Sequence, residues 1–137
     1  MIKKGPVVVV FVRSVEWCVY CQLQTVQISE NLKGIQASGG QVVIISYDAP
    51  EKIKRFVQRR KLIVPILSDA DSKTIDAYAM RALQGRGDQI GSAQHGAFVI
   101  AKSGRVSSKP LLTTFDGQTA VDALANALKD ANKTKPE

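Results

Sequence analysis

The sequence predicts an α/β domain built on a mixed sheet with helices on both faces, and three observations carry that expectation. The run Val7-Val8-Val9-Val10-Phe11-Val12 is continuously apolar and β-branched, as a strand buried on both faces of a parallel sheet must be. Two further β-branched runs, Val42–Tyr47 and Val64–Leu67, follow it and alternate with helical patterns, which is the signature of parallel crossovers. Near the C-terminus Ala97–Ala101 is followed by the tight turn Lys102-Ser103-Gly104, so an antiparallel hairpin closes the sheet. The resulting order is β-α-β-α-β-α-β-β-α.

The elements follow in order. After the first strand, Cys21, Ile28, Leu32 and Ile35 recur at helical spacing, with Leu23 and Val26 widening the stripe. Gly39-Gly40 should end this helix, because glycine tolerates the left-handed conformation needed there. Asp48-Ala49-Pro50 is expected to cap the next helix, about Glu51–Lys61, whose cations collect toward the C-terminal end where the macrodipole favours them. Pro65 lacks the N–H a ladder needs, so its strand should lie at an edge or begin with the proline. Asp69-Ala70-Asp71-Ser72 opens a helix through Ile75, Tyr78 and Ala79, and Gln84–Gln94 reads as a polar loop. Arg105 onward pairs with the preceding strand, with Leu111–Phe115 continuing the edge. A last helix, Gln118–Asn132, should bury Val121, Leu124 and Leu128 before a frayed tail at Lys133–Glu137.

At 137 residues the chain is expected to form a single domain, 1–137, with enough core to need no disulfide for stability. No apolar run is long enough for a membrane span. Met1-Ile2-Lys3-Lys4 imitates the start of a signal peptide, but Pro6 and Arg13 interrupt it and no small-residue cleavage site follows. The net charge of +7 gathers in Lys52, Lys54, Arg55, Arg59, Arg60 and Lys61. Without aromatic platforms or a groove-reading element, this is the solvated face of a helix rather than a nucleic-acid surface. It would also draw acidic partners or anionic substrates.

Chemistry concentrates in Trp17-Cys18-Val19-Tyr20-Cys21, which holds both cysteines of the chain. A central strand delivers this pair to the start of a helix. Unpaired N–H groups there favour the thiolate, the reactive form of cysteine. An attack by Cys18 on a disulfide would be resolved by Cys21; alternatively one sulfur is oxidised by a peroxide and the other condenses with it. Zinc normally takes four ligands, and one histidine accompanies the two cysteines, so no resident metal or cofactor is expected. A metal shared by the dithiols of two chains is the remaining alternative.

The segment Trp17–Cys21 resembles the Trp-Cys-x-x-Cys of thioredoxins. Phe11-Val12-Arg13 through Cys21 more closely resembles the redoxins of the alkyl hydroperoxide reductase/thiol-specific antioxidant family, with their Trp-Cys-Pro-Tyr-Cys. Val43–Asp48, Pro65–Asp69 and Phe98–Ile100 with Gly104-Arg105 are similar to later strands and turns of that family. The resemblance implies a thioredoxin fold. It also shows departures. Val12 stands where thioredoxins have a buried acid, and Gln94-His95-Gly96 where they have a cis-proline. Counted back from Cys21, the peroxiredoxin pattern Pro-x-x-x-Thr/Ser-x-x-Cys meets Cys18 at the hydroxyl and Ser14 at the proline; counted from Cys18 it meets Val15 and Phe11. The family's segment ahead of the first strand has no counterpart, as in a trimmed domain or a shortened member.

These readings give a thiol–disulfide oxidoreductase with Cys18 as exposed nucleophile and Cys21 as resolving partner. A thiol-dependent peroxidase with Cys21 attacking the peroxide is the second reading, and a non-catalytic redox-sensing or binding module the third. Arg13 and His95 are candidates for electrostatic support of a thiolate. Trp17 and Tyr20 flank the site as contact surface, and Glu16 reads as solvated. The expected partners are a protein disulfide or peroxide and a thiol reductant, in a cytoplasmic setting with the periplasm as alternative. Arg86-Gly87-Asp88 is read as accident.

Overall fold

The computed structural model describes residues 5–78, 96–101, 103–104, 106–108 and 117–133. The elements are β1 (Val7–Phe11), α1 (Val19–Glu30), α2 (Leu32–Ala37), β2 (Gln41–Ser46), α3 (Pro50–Arg60) and β3 (Ile66–Ser68). They continue with α4 (Lys73–Ala77), β4 (Gly96–Ile100), β5 (Val106–Ser108) and α5 (Gly117–Lys133). One five-stranded sheet has the order β3-β2-β1-β4-β5. β1 pairs in parallel with β2 and antiparallel with β4, Val9 lying opposite Val43 on one side and Phe98 on the other. Every residue of β1 is buried, as its uninterrupted apolar run requires. β3 forms an edge, and Pro65 stands just outside it, its carbonyl accepting Ile44 N–H at 2.9 Å.

The alternation along β1 divides the core. Val8 and Val10 face a cluster containing Ile28 of α1, Ile35 of α2, Phe56 of α3 and Leu124 and Leu128 of α5. Val7, Val9 and Phe11 face the opposite side, where Ile75 of α4, Phe98 and Tyr78 pack. The Phe11 and Phe98 rings meet edge-on with centroids 5.9 Å apart. Helices therefore cover both faces, as expected of an α/β mixed sheet. None of the described helices is long and apolar enough to cross a membrane.

Four local expectations are corrected. The first helix does not run on to the glycines but breaks at Asn31. The Asn31 amide donates to Gln27 O at 2.8 Å, a side-chain bond that competes with the helical ladder. Leu23 is 53% exposed, and the buried stripe of α1 keeps the expected Cys21 and Ile28 but adds Gln24, Thr25 and Ser29 in its place. Asp48 does not cap α3, whose N-cap residue is Ala49 without a side-chain bond, because the Asp48 carboxylate is engaged elsewhere. Finally, β3 starts two residues later than expected, at Ile66. The Gln84–Gln94 loop, Leu111–Phe115, Ala79, the Val121 side chain and residues 134–137 lie outside what is described.

Gly40 marks a close approach between the α2–β2 connection and the chain before β1. A Cβ there would lie 2.3 Å from the Pro6 carbonyl oxygen and 2.6 Å from Leu128 Cδ2. The first of these is backbone and cannot swing away. Gly40→Ala is therefore expected to destabilise the fold by about 2 kcal/mol, read as a lowered midpoint in urea. An unchanged midpoint would show that this contact opens freely.

Candidate active site

The site is built from the end of β1 and the start of α1. Beyond Phe11 the ladder continues for one bond, Val12 N–H to Ile45 O at 3.1 Å, and the chain then turns through Arg13–Trp17. Cys18 is the N-cap of α1 with extended backbone, φ −94° and ψ 97°, and its Sγ accepts Cys21 N–H at 3.3 Å. Cysteine here occupies a position usually held by Ser, Thr, Asp or Asn. Cys21 is the third residue of the helix, and the two sulfurs are joined in a disulfide. The resemblance to dithiol motifs is thus matched by a strand–loop–helix geometry that brings the pair together.

Arg13 reaches the same sulfur. Its Nη2 lies 3.5 Å from Cys18 Sγ, and its guanidinium carbon lies 5.9 Å from the Trp17 ring centroid. Trp17 is fixed in turn by its indole N–H, which donates to Tyr47 Oη at 2.8 Å. Cys18 Sγ thus receives a guanidinium and a first-turn helix N–H, both of which favour a thiolate over a thiol once the disulfide is reduced. No donor among the described residues is directed at Cys21 Sγ. The two sulfurs are therefore unequally surrounded.

The loop is held by Asp48, a residue expected from its place before Pro50 to cap α3. The Asp48 side chain is buried and accepts from Ser14 Oγ at 2.8 Å, from Val15 N–H at 2.7 Å, and from Ser46 Oγ. Ser14 Oγ accepts Glu16 N–H at 2.9 Å and Trp17 N–H at 3.2 Å, extending the lattice to the residue before Cys18. Gln22 Nε2 donates to Val15 O at 2.7 Å and ties the first turn of α1 back to the loop. Three donors satisfy the buried carboxylate, which has no ion-pair partner among the described residues. The available signal was Ser46-Tyr47-Asp48 at the C-terminal end of an apolar strand; its meaning depends on β2 lying beside β1.

The other residues singled out in the sequence are placed as follows. Cys18 is not an exposed nucleophile: in the disulfide it is 3% exposed and Cys21 0% exposed, because both join the cluster that holds Val15 and Val12. Arg13 and Trp17 do converge on Cys18, whereas Tyr20 is 55% exposed on the outer face of α1 beside Val19 and Leu23. His95 lies outside the described residues. Glu16 is partnered as well as solvated: its carboxylate meets Lys52 Nζ at 2.9 Å, and that hydrogen bond holds the Lys52 pKa above its usual 10.5.

A mixed sheet whose central strand delivers a Cys-x-x-Cys pair to a helix N-terminus has the architecture of a thioredoxin-fold redoxin. The chain belongs to the AhpC/TSA family, whose sequence model matches residues 1–109. Among curated proteins, a Mycobacterium tuberculosis protein named "Putative peroxiredoxin" is 31% identical over 87 residues, 63% of this chain and 55% of its own length. The chain thus spans about half the length of the curated relatives it matches. Among solved structures, peroxidoxin BcpB of Mycobacterium tuberculosis has a TM-score of 0.75 at 21% identity, over 93% of this chain and 82% of that one. Peroxiredoxin Q of Xanthomonas campestris has a TM-score of 0.79 at 18% identity, over 94% and 80%. At these identities the structural matches establish the fold.

Proposed function

We propose that this protein is a thiol-dependent redox enzyme that cycles Cys18 and Cys21 between dithiol and disulfide, with Cys18 attacking and a hydroperoxide as oxidant. The observation that carries this reading is the pair of donors on Cys18 Sγ, from Arg13 and from the Cys21 amide. The Cys18 thiolate attacks the terminal peroxide oxygen, the O–O bond breaks, and the leaving alkoxide takes a proton and departs as alcohol. Cys18 is left as sulfenic acid. The Cys21 sulfur displaces its hydroxyl as water and forms the disulfide, which two equivalents of an external thiol reduce through a mixed disulfide. The near-complete burial of both cysteines favours a small peroxide over a folded protein disulfide. Membership of the AhpC/TSA family and the name of the curated relative support the same oxidant. A cytoplasmic setting, where thiol reductants are replenished, suits the cycle.

A second reading rests on Val19, Tyr20 and Leu23, which are 62%, 55% and 53% exposed beside the disulfide. An apolar rim of this kind suits a protein partner, and the same sulfurs would then reduce a protein disulfide. Peroxide consumption with dithiothreitol as reductant, run beside insulin-disulfide reduction, separates the two. The expected result is peroxide turnover above the dithiothreitol background with little insulin reduction. The reverse ranking would overturn the choice of oxidant.

A further inference from the structure

Between the loop that leads to Cys18 and helix α3 lies a cleft of about 120 Å³ that the redox cycle does not use. Its walls are Val15 and Glu16 from the active-site loop and Lys52, Arg55, Phe56 and Arg59 from α3. Lys52, Arg55 and Arg59 fall at i, i+3 and i+7, one strip of the helix, so their like charges stand side by side. Glu16 pairs with Lys52. Among the described residues neither Arg55 nor Arg59 has an ion-pair partner, and the Arg59 guanidinium instead lies 6.0 Å from the Phe56 ring centroid. Two guanidiniums over a partly apolar lining thus border a space on the order of four water molecules in volume. This suits a carboxylate on a short aliphatic stem. Guanidinium groups match a planar carboxylate with paired hydrogen bonds, and the buried Val15 and Phe56 form the floor beneath them.

We infer that this cleft is a carboxylate-binding site that, resting on the redox reading above, selects hydroperoxides carrying an acid group. Its wall residues Val15 and Glu16 precede Cys18 by three and two positions, so an acid held there lies against the loop that carries the reacting sulfur. The acid acts as an anchor, concentrating the substrate at the loop without taking part in O–O cleavage.

The test has two arms. In the first, the oxidised protein is titrated with sodium butyrate or with inorganic phosphate while the amide resonances of Val15, Glu16 and Arg55 are followed by NMR. Saturable shifts with butyrate are expected, weakened at least about tenfold in R55Q/R59Q and by no more than about twofold in K54Q/R60Q. No saturable shift with butyrate, phosphate binding in its place, or equal weakening in K54Q/R60Q would each overturn the site, the last by showing general attraction to a basic helix. In the second arm, turnover of a short alkyl hydroperoxide ending in a carboxylate is compared with that of its methyl ester. The acid is expected to be preferred about tenfold in kcat/KM, a ratio that falls to about one in R55Q/R59Q. Equal rates on acid and ester in the wild type defeat the selectivity. Failure to turn over any peroxide, hydrogen peroxide included, defeats the redox reading and the substrate assignment with it, while the NMR arm still decides the cleft.

Discussion

Cys18→Ser is expected to slow the reaction of the reduced protein with hydrogen peroxide by at least on the order of 100-fold, while Cys21→Ser keeps the first oxidation and loses the second step. The asymmetry follows from the donors. Cys18 Sγ has the Arg13 guanidinium at 3.5 Å and the Cys21 amide at 3.3 Å, and both contacts are made by backbone or side chains that Cys21→Ser retains. In that variant, with no thiol added, one equivalent of peroxide should be consumed and the protein should gain the mass of one oxygen as a sulfenic acid on Cys18. In Cys18→Ser the remaining thiol lacks both donors. Stopped-flow peroxide consumption and intact mass reveal the difference, and matching melting curves confirm that both variants fold. The reverse pattern, with Cys21 reacting first and Cys18 dispensable for that step, would put the attack on the sulfur that motif counting aligns with the peroxidatic position.

Asp48→Ala should produce the largest loss of stability of any change near the site. It leaves Ser14 Oγ, Ser46 Oγ and the Val15 amide without their shared acceptor in a region where all four residues are buried. Each stranded donor costs roughly 1–3 kcal/mol, and water entering the vacated space recovers part of it, so a net loss of about 3 kcal/mol is expected. For a chain of this size that lowers the melting temperature by about 12 °C. A positioning role adds a second signature. At temperatures where the variant is fully folded, alkylation of reduced Cys18 should lose its advantage over Cys21, because Val15 and Ser14 no longer fix the loop that aims Arg13 and the helix start at the sulfur. A variant that melts like the wild type would show that the lattice around Asp48 is dispensable.

How much of this was legible beforehand differs from element to element. The central strand was readable because six consecutive apolar residues, four of them valine in succession, cannot form an amphipathic surface and must be buried on both sides. The dithiol was readable because its two members are three residues apart, a separation that a helix start brings within bonding reach. The break at Asn31 was not, since the apolar spacing continues across it and only the asparagine's bond to Gln27 reveals the interruption. Nor was the burial of Cys18, because a sequence shows which residues neighbour a sulfur along the chain but not which side chains close over it.

What the sequence determined by itself is local and contiguous: a buried strand, a polar turn, and a cysteine pair where a helix begins. What tertiary structure alone decided lies between segments distant along the chain. Asp48 meets Ser14 across 34 residues only because β2 pairs in parallel beside β1, and α3 brings Arg55 and Arg59 to the same loop for the same reason. Strand register converts separations along the chain into distances of a few ångström, and no propensity carried by single residues encodes it.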